Sequence, residues 1–395
     1  MKRNNIGRRD FIRYSAAAGA GALLTRDAVA NTSTTPADSN QKMPERTLGK
    51  TGISLPILSM GVDRPDSSNV LRAAYNAGIR HFDTANNYQR GRNEEALGAM
   101  FDGRPLDSRF ISTKIMFPYP LRDNFEEDFD SKLEVSLNRL RIEQVDLLYL
   151  HDIRTVENVK DPRVAASLLK AREEGKTKFI GLSFHTGDPD VFRAAIDMGI
   201  FEVLLITYNF KMDRLEEYEA LIEEAAQKGI GLIGMKTMAG GTVDAEGKKQ
   251  INGDACLKWV WKNKHITTVI PGLTNFEHLD KCVAAALNPK INEEEERYLA
   301  SLENEEMLFC RQCNQCKPQC PAGLPIPDIM RAYMYAFGYK QARISKDTLA
   351  NVGLTADACA GCNEVCTVKC PSGFNVGKKI AALTPLLNTP DVFLT

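Results

Sequence analysis

Two sets of side chains in this 395-residue sequence have the types and spacing to do chemistry. The first is sulfur. Eight of the ten cysteines fall in two short runs, Cys310-x2-Cys313-x2-Cys316-x3-Cys320-Pro321 and Cys359-x2-Cys362-x3-Cys366-x3-Cys370-Pro371. Thiolates spaced so closely converge on one centre, and each run supplies four of them. That donor set suits iron–sulfur clusters; structural zinc and, in an oxidising compartment, disulfides are the competing uses. Tight triplets closing on Cys-Pro favour clusters. The remaining two, Cys256 and Cys282, sit in helical, mixed apolar contexts and are expected to be core thiols. The second set is polar: Asp83, Tyr88, Lys114 and His151, at or just after the ends of three successive strand-like runs. A lone Lys or His at a strand end is usually structural. A carboxylate, a phenol, an ammonium and an imidazole on three neighbouring strands are the parts of a proton-transfer site.

An alternation that begins at residue 46 positions those groups. Strand-like runs at 57–62, 80–85, 110–115, 145–151, 178–184, 202–208, 231–237 and 267–272 are separated by helical patterns. The helical patterns cover 67–77, 93–101, 124–140, 162–174, 189–198, 215–228, 254–264 and 276–287. Gly78, Gly175, Gly199 and Gly229 punctuate helix ends, as C-cap glycines do. Eight β/α units within about 230 residues fit a (β/α)8 TIM barrel, which typically takes ~250. A doubly wound sheet is the alternative, but no Gly-x-Gly-x-x-Gly turn follows the first strand. In a TIM barrel the chemistry lies at the C-terminal ends of the strands, where the four polar residues fall. Beyond it, the Asn292-Glu293-Glu294-Glu295-Glu296 run reads better as a helix start than as a ligand cluster. Asn292 caps it, and acids favour the first turn for dipole reasons. The expected organisation is an α/β barrel over 46–290, a connecting helix over 291–304 and a small, mostly α, cysteine-rich domain over 305–395.

The chain's N-terminus reads as a targeting segment over 1–30, followed by a polar linker over 31–45. A basic stretch ends in Arg8-Arg9-Asp10-Phe11-Ile12, an apolar run covers 14–24, and Ala28-Val29-Ala30 suggests cleavage before Asn31. Eleven apolar residues are too few to cross a bilayer, which needs about 20, so no membrane span is expected in the mature chain. The paired arginines resemble a twin-arginine signal, which implies the Tat translocase as a partner and a periplasmic destination. With 43% hydrophobic and 26% charged residues the chain is ordinary for a globular protein. A net charge of −1 gives no electrostatic case for nucleic acid or an anionic membrane.

Over residues 46–290 the Asp83-x4-Tyr88 spacing, with Lys114 and His151 at strand ends, resembles the aldo-keto reductase superfamily. The resemblance implies that these four are a catalytic tetrad reducing an aldehyde or ketone with a nicotinamide cofactor. Hydride delivery builds negative charge on the carbonyl oxygen, and Tyr88 would protonate it. A phenol of ordinary pKa, about 10, is a reluctant acid at neutral pH; Lys114 would lower it by favouring phenolate. Asp83 would hold Lys114, and His151 would orient the carbonyl oxygen. On the nucleotide side the resemblance implies Ser183 and Asn209 as carboxamide ligands, with Phe184 in place of a usual Asn. Gly61, Met235 and Lys236 join them, Met235 as a less rigid cover where the family often stacks an aromatic ring. The stretch 270–275 resembles the family's phosphate loop through Gly272, Thr274 and Asn275. His278 stands where many members place an Arg for the 2′-phosphate, so NADP and NAD both remain open.

The first cysteine run matches that of bacterial two-cluster ferredoxins, and the second has one extra residue in its middle gap. In those ferredoxins the fourth cysteine of each run ligates the other cluster. Carried over, this gives one [4Fe-4S] cluster on Cys310, Cys313, Cys316 and Cys370, and another on Cys359, Cys362, Cys366 and Cys320. The whole implies an exported oxidoreductase acting on a small carbonyl or alcohol, with tightly bound nucleotide and clusters that exchange electrons with a redox partner. An electron-transfer protein on an inert barrel is one alternative, and an enzyme whose clusters are purely structural is another. Replacing Arg8 and Arg9 by Lys keeps the charge and should trap folded precursor in the cytoplasm, read by cell fractionation. Mature protein still appearing outside the inner membrane would count against the export signal.

Overall fold

The computed structural model describes residues 42–62, 68–117, 119, 121–310, 312–355, 359 and 366–394. The targeting segment, most of the linker and Cys362 lie outside the described residues. Eight parallel strands lie in sequential order: β3 (Met60–Gly61), β4 (His81–Asp83), β5 (Phe110–Met116), β6 (Val145–His151), β7 (Thr177–Phe184), β8 (Val203–Thr207), β9 (Gly231–Met235) and β10 (Ile266–Val269). Parallel bridges Leu58–Val269 and Gly61–Gly272 join the last strand to the first, so the sheet closes. The helices between them are α1 (Ser68–Asn76), α2 (Arg92–Phe101), α3 (Phe125–Leu140), α4 (Val156–Lys160), α5 (Pro162–Glu173), α6 (Pro189–Asp197), α7 (Leu215–Gln227), α8 (Gly253–Trp261) and α9 (Phe276–Leu287). The expected (β/α)8 barrel is present, and only α4 was absent from the sequence pattern.

Two cores follow from strand alternation. Outward residues such as Phe82, Ile111, Leu148 and Leu182 pack on the helices, and inward residues such as Leu147, Tyr149, Leu205 and Ile233 fill the barrel. Cys256 and Cys282 are buried thiols, and burial pushes Cys282 up to about 12. None of the described helices is long and apolar enough to cross a membrane.

The hairpin of β1 (Glu45–Thr47) and β2 (Ser54–Pro56) closes the end of the barrel where the strands begin. Leu48 and Leu55 enter the inner core there, and Met43 is buried as well, so ordered structure reaches into the stretch read as linker. Gly49 turns the hairpin with φ +51°, and a Cβ on it would lie 2.3 Å from the Gly231 nitrogen, so only glycine fits. Arg46 locks the plug by donating to the carbonyls of Trp261, Asn263 and Ile266 at 2.6–2.8 Å.

Beyond the barrel, α10 (Glu293–Ser301) starts with Asn292 and Glu295 in a capping box, as the acid run suggested. The cysteine-rich domain packs α11 (Ile326–Tyr333), α12 (Ala342–Asn351) and α13 (Val376–Asn388) around Ile329, Met330, Leu349, Ile380 and Leu383. Cys310, Cys316, Cys320, Cys366 and Cys370 line that core. The domain sits against the loop that follows β9. Lys340 Nζ donates to the Gly247 carbonyl at 2.7 Å, and a Cβ on Gly240 would strike the Phe309 nitrogen at 2.8 Å. Leu48→Ala removes a side chain that is 0% exposed at the plug and should cost about 2–5 kcal/mol, read as a lower urea midpoint for the barrel.

Candidate active site

Period two along the strands decides which polar groups meet. It sends His81 and Asp83 of β4, Ser112 and Lys114 of β5, and His151 of β6 toward the barrel axis. Buried there, each needs a partner. Lys114 Nζ donates to Asp83 Oδ1 and, at 2.6 Å, to the Thr84 carbonyl. Asp83 Oδ2 accepts from Ser112 Oγ at 2.6 Å, and Ser112 Oγ lies 2.9 Å from His81 Nε2. With the hydroxyl proton given to Asp83, His81 must donate from Nε2. Its Nδ1 is buried without a partner among the described residues. Burial, reinforced by Lys114, pushes His81 down to about 3 and keeps it neutral. Burial also raises the Asp83 carboxyl, against the pull of Lys114 and Ser112.

Tyr88 is placed by its loop rather than by a strand. Asn86 N donates to the Lys114 carbonyl at 2.9 Å, Met116 N donates to Asn86 Oδ1 at 3.2 Å, and Arg139 Nη1 donates to the Asn86 carbonyl at 3.0 Å. The loop then sets the Tyr88 ring centre 5.1 Å from Lys114 Nζ and edge-on to His151 at 5.7 Å. Burial first, and Lys114 next, hold His151 well below its ordinary range, so the imidazole is neutral. Its Nδ1 is buried with no partner among the described residues. The four expected residues therefore gather at the mouth. A phenol beside an ammonium and a neutral imidazole can give a proton to, and orient, a carbonyl oxygen. His81 and Ser112 were missed in the sequence, although strand parity would have found both.

The expected nucleotide residues divide. Asn275 caps α9 by accepting from His278 N at 2.8 Å, and Thr274 Oγ1 lies 3.0 Å from His278 Nδ1, an exposed helix start suited to phosphate. Gly61 and Gly272 instead form the barrel's closing seam, where a Cβ on Gly61 would stand 2.8 Å from the Ile270 carbonyl. Phe184 points outward onto Phe192 at 5.7 Å, so it packs the helices and is no carboxamide ligand. Ser183 faces inward, but its Oγ accepts the Asp152 N–H at 3.1 Å. Asn209 is engaged on both sides, donating to the Lys236 carbonyl at 3.1 Å and accepting from Lys211 N at 2.9 Å. Met235 lies in the inner core with Ile233 and Leu205. Lys236 Nζ, half-buried, donates to Tyr335 Oη of the cysteine-rich domain at 2.7 Å. His185, Lys236, Phe309, Cys310, Gln312, Arg331 and Met334 enclose a cavity of about 10 Å³, room for about one water.

One residue beyond His151, Asp152 adopts φ +58°, a left-handed turn uncommon outside glycine. Its carboxylate accepts from Arg331 at 3.1–3.2 Å and from Arg154 at 2.6 and 3.1 Å. Asp328 completes a ring, accepting from Arg331 at 2.9 Å and Arg154 at 2.5 Å. Burial alone would raise Asp152, but Arg331 and Arg154 outweigh it and hold the carboxylate well below its usual range. The sequence carries no signal for this ring, whose members are 179 residues apart.

In the cysteine-rich domain, burial pushes the Cys310 thiol up to about 12, and the charges of Cys370, Cys316 and Cys313 add to the rise. Cys316 in turn senses Cys313, Cys370 and Cys320. Sulfurs of both runs thus lie near one another, Cys320 among them, so this proximity brings together members of both expected ligand sets. The described cysteines are all free of disulfides, and among the described residues no three side chains gather tightly enough for a single ion. The second set is described only in part, because Cys362 is not.

A model of the aldo/keto reductase family matches residues 49–255, and one described as a 4Fe-4S dicluster domain matches 309–375. L-glyceraldehyde 3-phosphate reductase of Escherichia coli O157:H7 is 27% identical over 319 residues, covering 64% of this chain and 90% of that protein. L-galactose dehydrogenase of Arabidopsis thaliana is 25% identical over 293 residues, covering 62% of this chain and 88% of that one. Among solved structures, an aldo-keto reductase of Bacillus halodurans in its holo form aligns with a TM-score of 0.56 at 20% identity, covering 66% of this chain and 96% of that one.

Tyr88→Phe removes the proton and keeps the ring's edge contact with His151. Turnover of a carbonyl substrate should fall by ~10²–10⁴-fold while iron content stays unchanged. A near-normal steady-state rate would discard the role assigned to the phenol.

Proposed function

The chain belongs to the aldo/keto reductase family, and from that premise we propose that it interconverts a small carbonyl compound and its alcohol, with Tyr88 as the acid and base. The buried Asp83–Lys114 ion pair beside Tyr88 and His151 carries this reading. Reduction takes two electrons and two protons at the carbonyl. Tyr88 gives one proton to the oxygen, Lys114 favours the phenolate left behind, and neutral His151 holds the oxygen. The chain is an oxidoreductase with a 4Fe-4S dicluster domain at its C-terminal end. In the same reading it is exported to the periplasm by the twin-arginine route, after its clusters are inserted in the reducing cytoplasm.

The residues present fit a nicotinamide nucleotide at one end only. The start of α9 suits its phosphate. The ring end is closed: Asn209 is engaged, Tyr335 covers Lys236, and the cavity there is about 10 Å³ against the ~300–1,000 Å³ of ordinary ligand sites. A nucleotide bound at this end would supply hydride chemistry only with the Tyr335 side chain turned off Lys236, the domain otherwise docked. The closed ring end favours a second reading, in which the two electrons arrive one at a time through the dicluster domain. Cys310, assigned to a cluster, lines the same cavity as His185 and Lys236. That reading needs an external redox partner for the electrons and a proton from water for the carbonyl carbon, the one a hydride would otherwise carry.

Anaerobically purified protein should carry about eight iron and eight sulfide per chain, from two four-iron clusters. Stoichiometric zinc would sink the assignment. Mass spectrometry of the acid-released fraction separates the two readings. Near-stoichiometric NAD or NADP supports the nucleotide, and none supports electron delivery through the clusters.

A further inference from the structure

We propose that Arg331 of the dicluster domain is a positioning residue for catalytic His151, acting through Asp152, so that the barrel is competent only with that domain docked. The inference rests on the reading of His151 as the group that orients the carbonyl oxygen.

The geometry runs from the dicluster domain to the imidazole without a gap. Arg331 is on α11, 7% exposed, and its guanidinium is divided between Asp152 and Asp328. Asp152 is bonded directly to His151 in the chain and is itself 2% exposed. Its left-handed backbone persists only where its surroundings over-determine it. Two sets of bonds do so here. Ser183 holds the turn from the barrel side, its Oγ accepting from Asp152 N and its carbonyl from Ile153 N at 2.9 Å. The Arg331–Arg154–Asp328 ring holds the side chain from the other. Remove Arg331 and the buried carboxylate loses three of its five bonds, leaving a charge that must either find water or rotate away.

The sheet holds the His151 backbone, opposite Met116, but its Nδ1 has no partner among the described residues. The Tyr88 ring lies 5.7 Å and the His185 ring 5.9 Å from it. His185, whose ring lies 5.9 Å from that of His151, lines one cavity with Arg331 and Cys310, and His151 itself is 3% exposed. The orientation of the carbonyl oxygen is thus set from a domain that contributes no atom to the tetrad.

The test uses the anaerobically purified holoprotein, DL-glyceraldehyde as the carbonyl probe, and diethyl pyrocarbonate labelling mapped residue by residue. His265 and His278 serve as internal standards for labelling, since both reach the surface. Arg331→Met should lower kcat roughly 10- to 100-fold with KM nearly unchanged, the scale expected when a catalytic group is displaced by about an ångström. It should also make His151 label while iron per chain stays constant. Arg331→Lys should recover part of both. Asp328→Asn leaves Arg331 on Asp152, and should give intermediate labelling even if Arg331→Met does not fold. His151 remaining protected in every variant, with kcat at its original value, overturns the proposal. The two readings separate cleanly. Tyr88→Phe at full rate with His151 exposed by Arg331→Met removes the tetrad and keeps the coupling; an inactive Tyr88→Phe with His151 still protected removes only the coupling.

Discussion

A lysine ammonium buried at the centre of a barrel must be paired or it will not be charged, and most of the mouth is arranged around that requirement. Asp83 supplies the counter-charge to Lys114, Thr84 a carbonyl, and Ser112 and His81 satisfy the far side of Asp83 in turn. Breaking such a pair by deleting one partner typically costs ~3–5 kcal/mol, because the survivor is left buried and unpaired. The chain therefore holds a charge in apolar surroundings where it acts on its neighbours with little screening. Burial first, and Lys114 next, depress the basicity of His81 and His151, and both are neutral imidazoles. Tyr88 stands beside the same charge, its ring centre 5.1 Å from Lys114 Nζ.

The dicluster domain bears on the same site from above. It meets the barrel at Asp152, Lys236 and the glycine-rich loop after β9. Clusters pass single electrons, whereas a nicotinamide exchanges a hydride. Were a nicotinamide bound here, the two would have to be kept apart or one would replace the other. Tyr335 covers Lys236, and the start of α9 is open.

Local signals were legible and distant pairings were not. Strand ends and helix spans follow from period and residue type, and the eight strands lie within a few residues of where alternation puts them. The tetrad rests on a resemblance laid over those strand ends, and the place of Cys370 on a ligand rule carried over from two-cluster ferredoxins. By contrast, Asp152 and Arg331 are 179 residues apart and Lys236 and Tyr335 are 99 apart, and nothing local marks either pair. Parity explains the rest. Ser112 and His81 face inward with Asp83 and Lys114, while Phe184, which stands where the family usually has an Asn, faces the helices. Gly61 and Gly272 were read as nucleotide contacts because the seam they close is invisible until first and last strands meet.

That late meeting has a consequence for how the chain folds. Arg46 of the hairpin plug finds its carbonyl partners as far as Ile266, 220 residues later in the sequence. At ordinary synthesis rates of ~5–20 residues per second, those 220 residues take about 10–45 s to emerge. Until then the plug is only a two-stranded hairpin, which is marginal alone, and the first barrel strand presents an unpaired edge. The dicluster domain is made later still. The ribosome-bound chain thus passes through a long interval with its first edge exposed, and the burden of keeping it from mispairing falls on chaperones rather than on the fold.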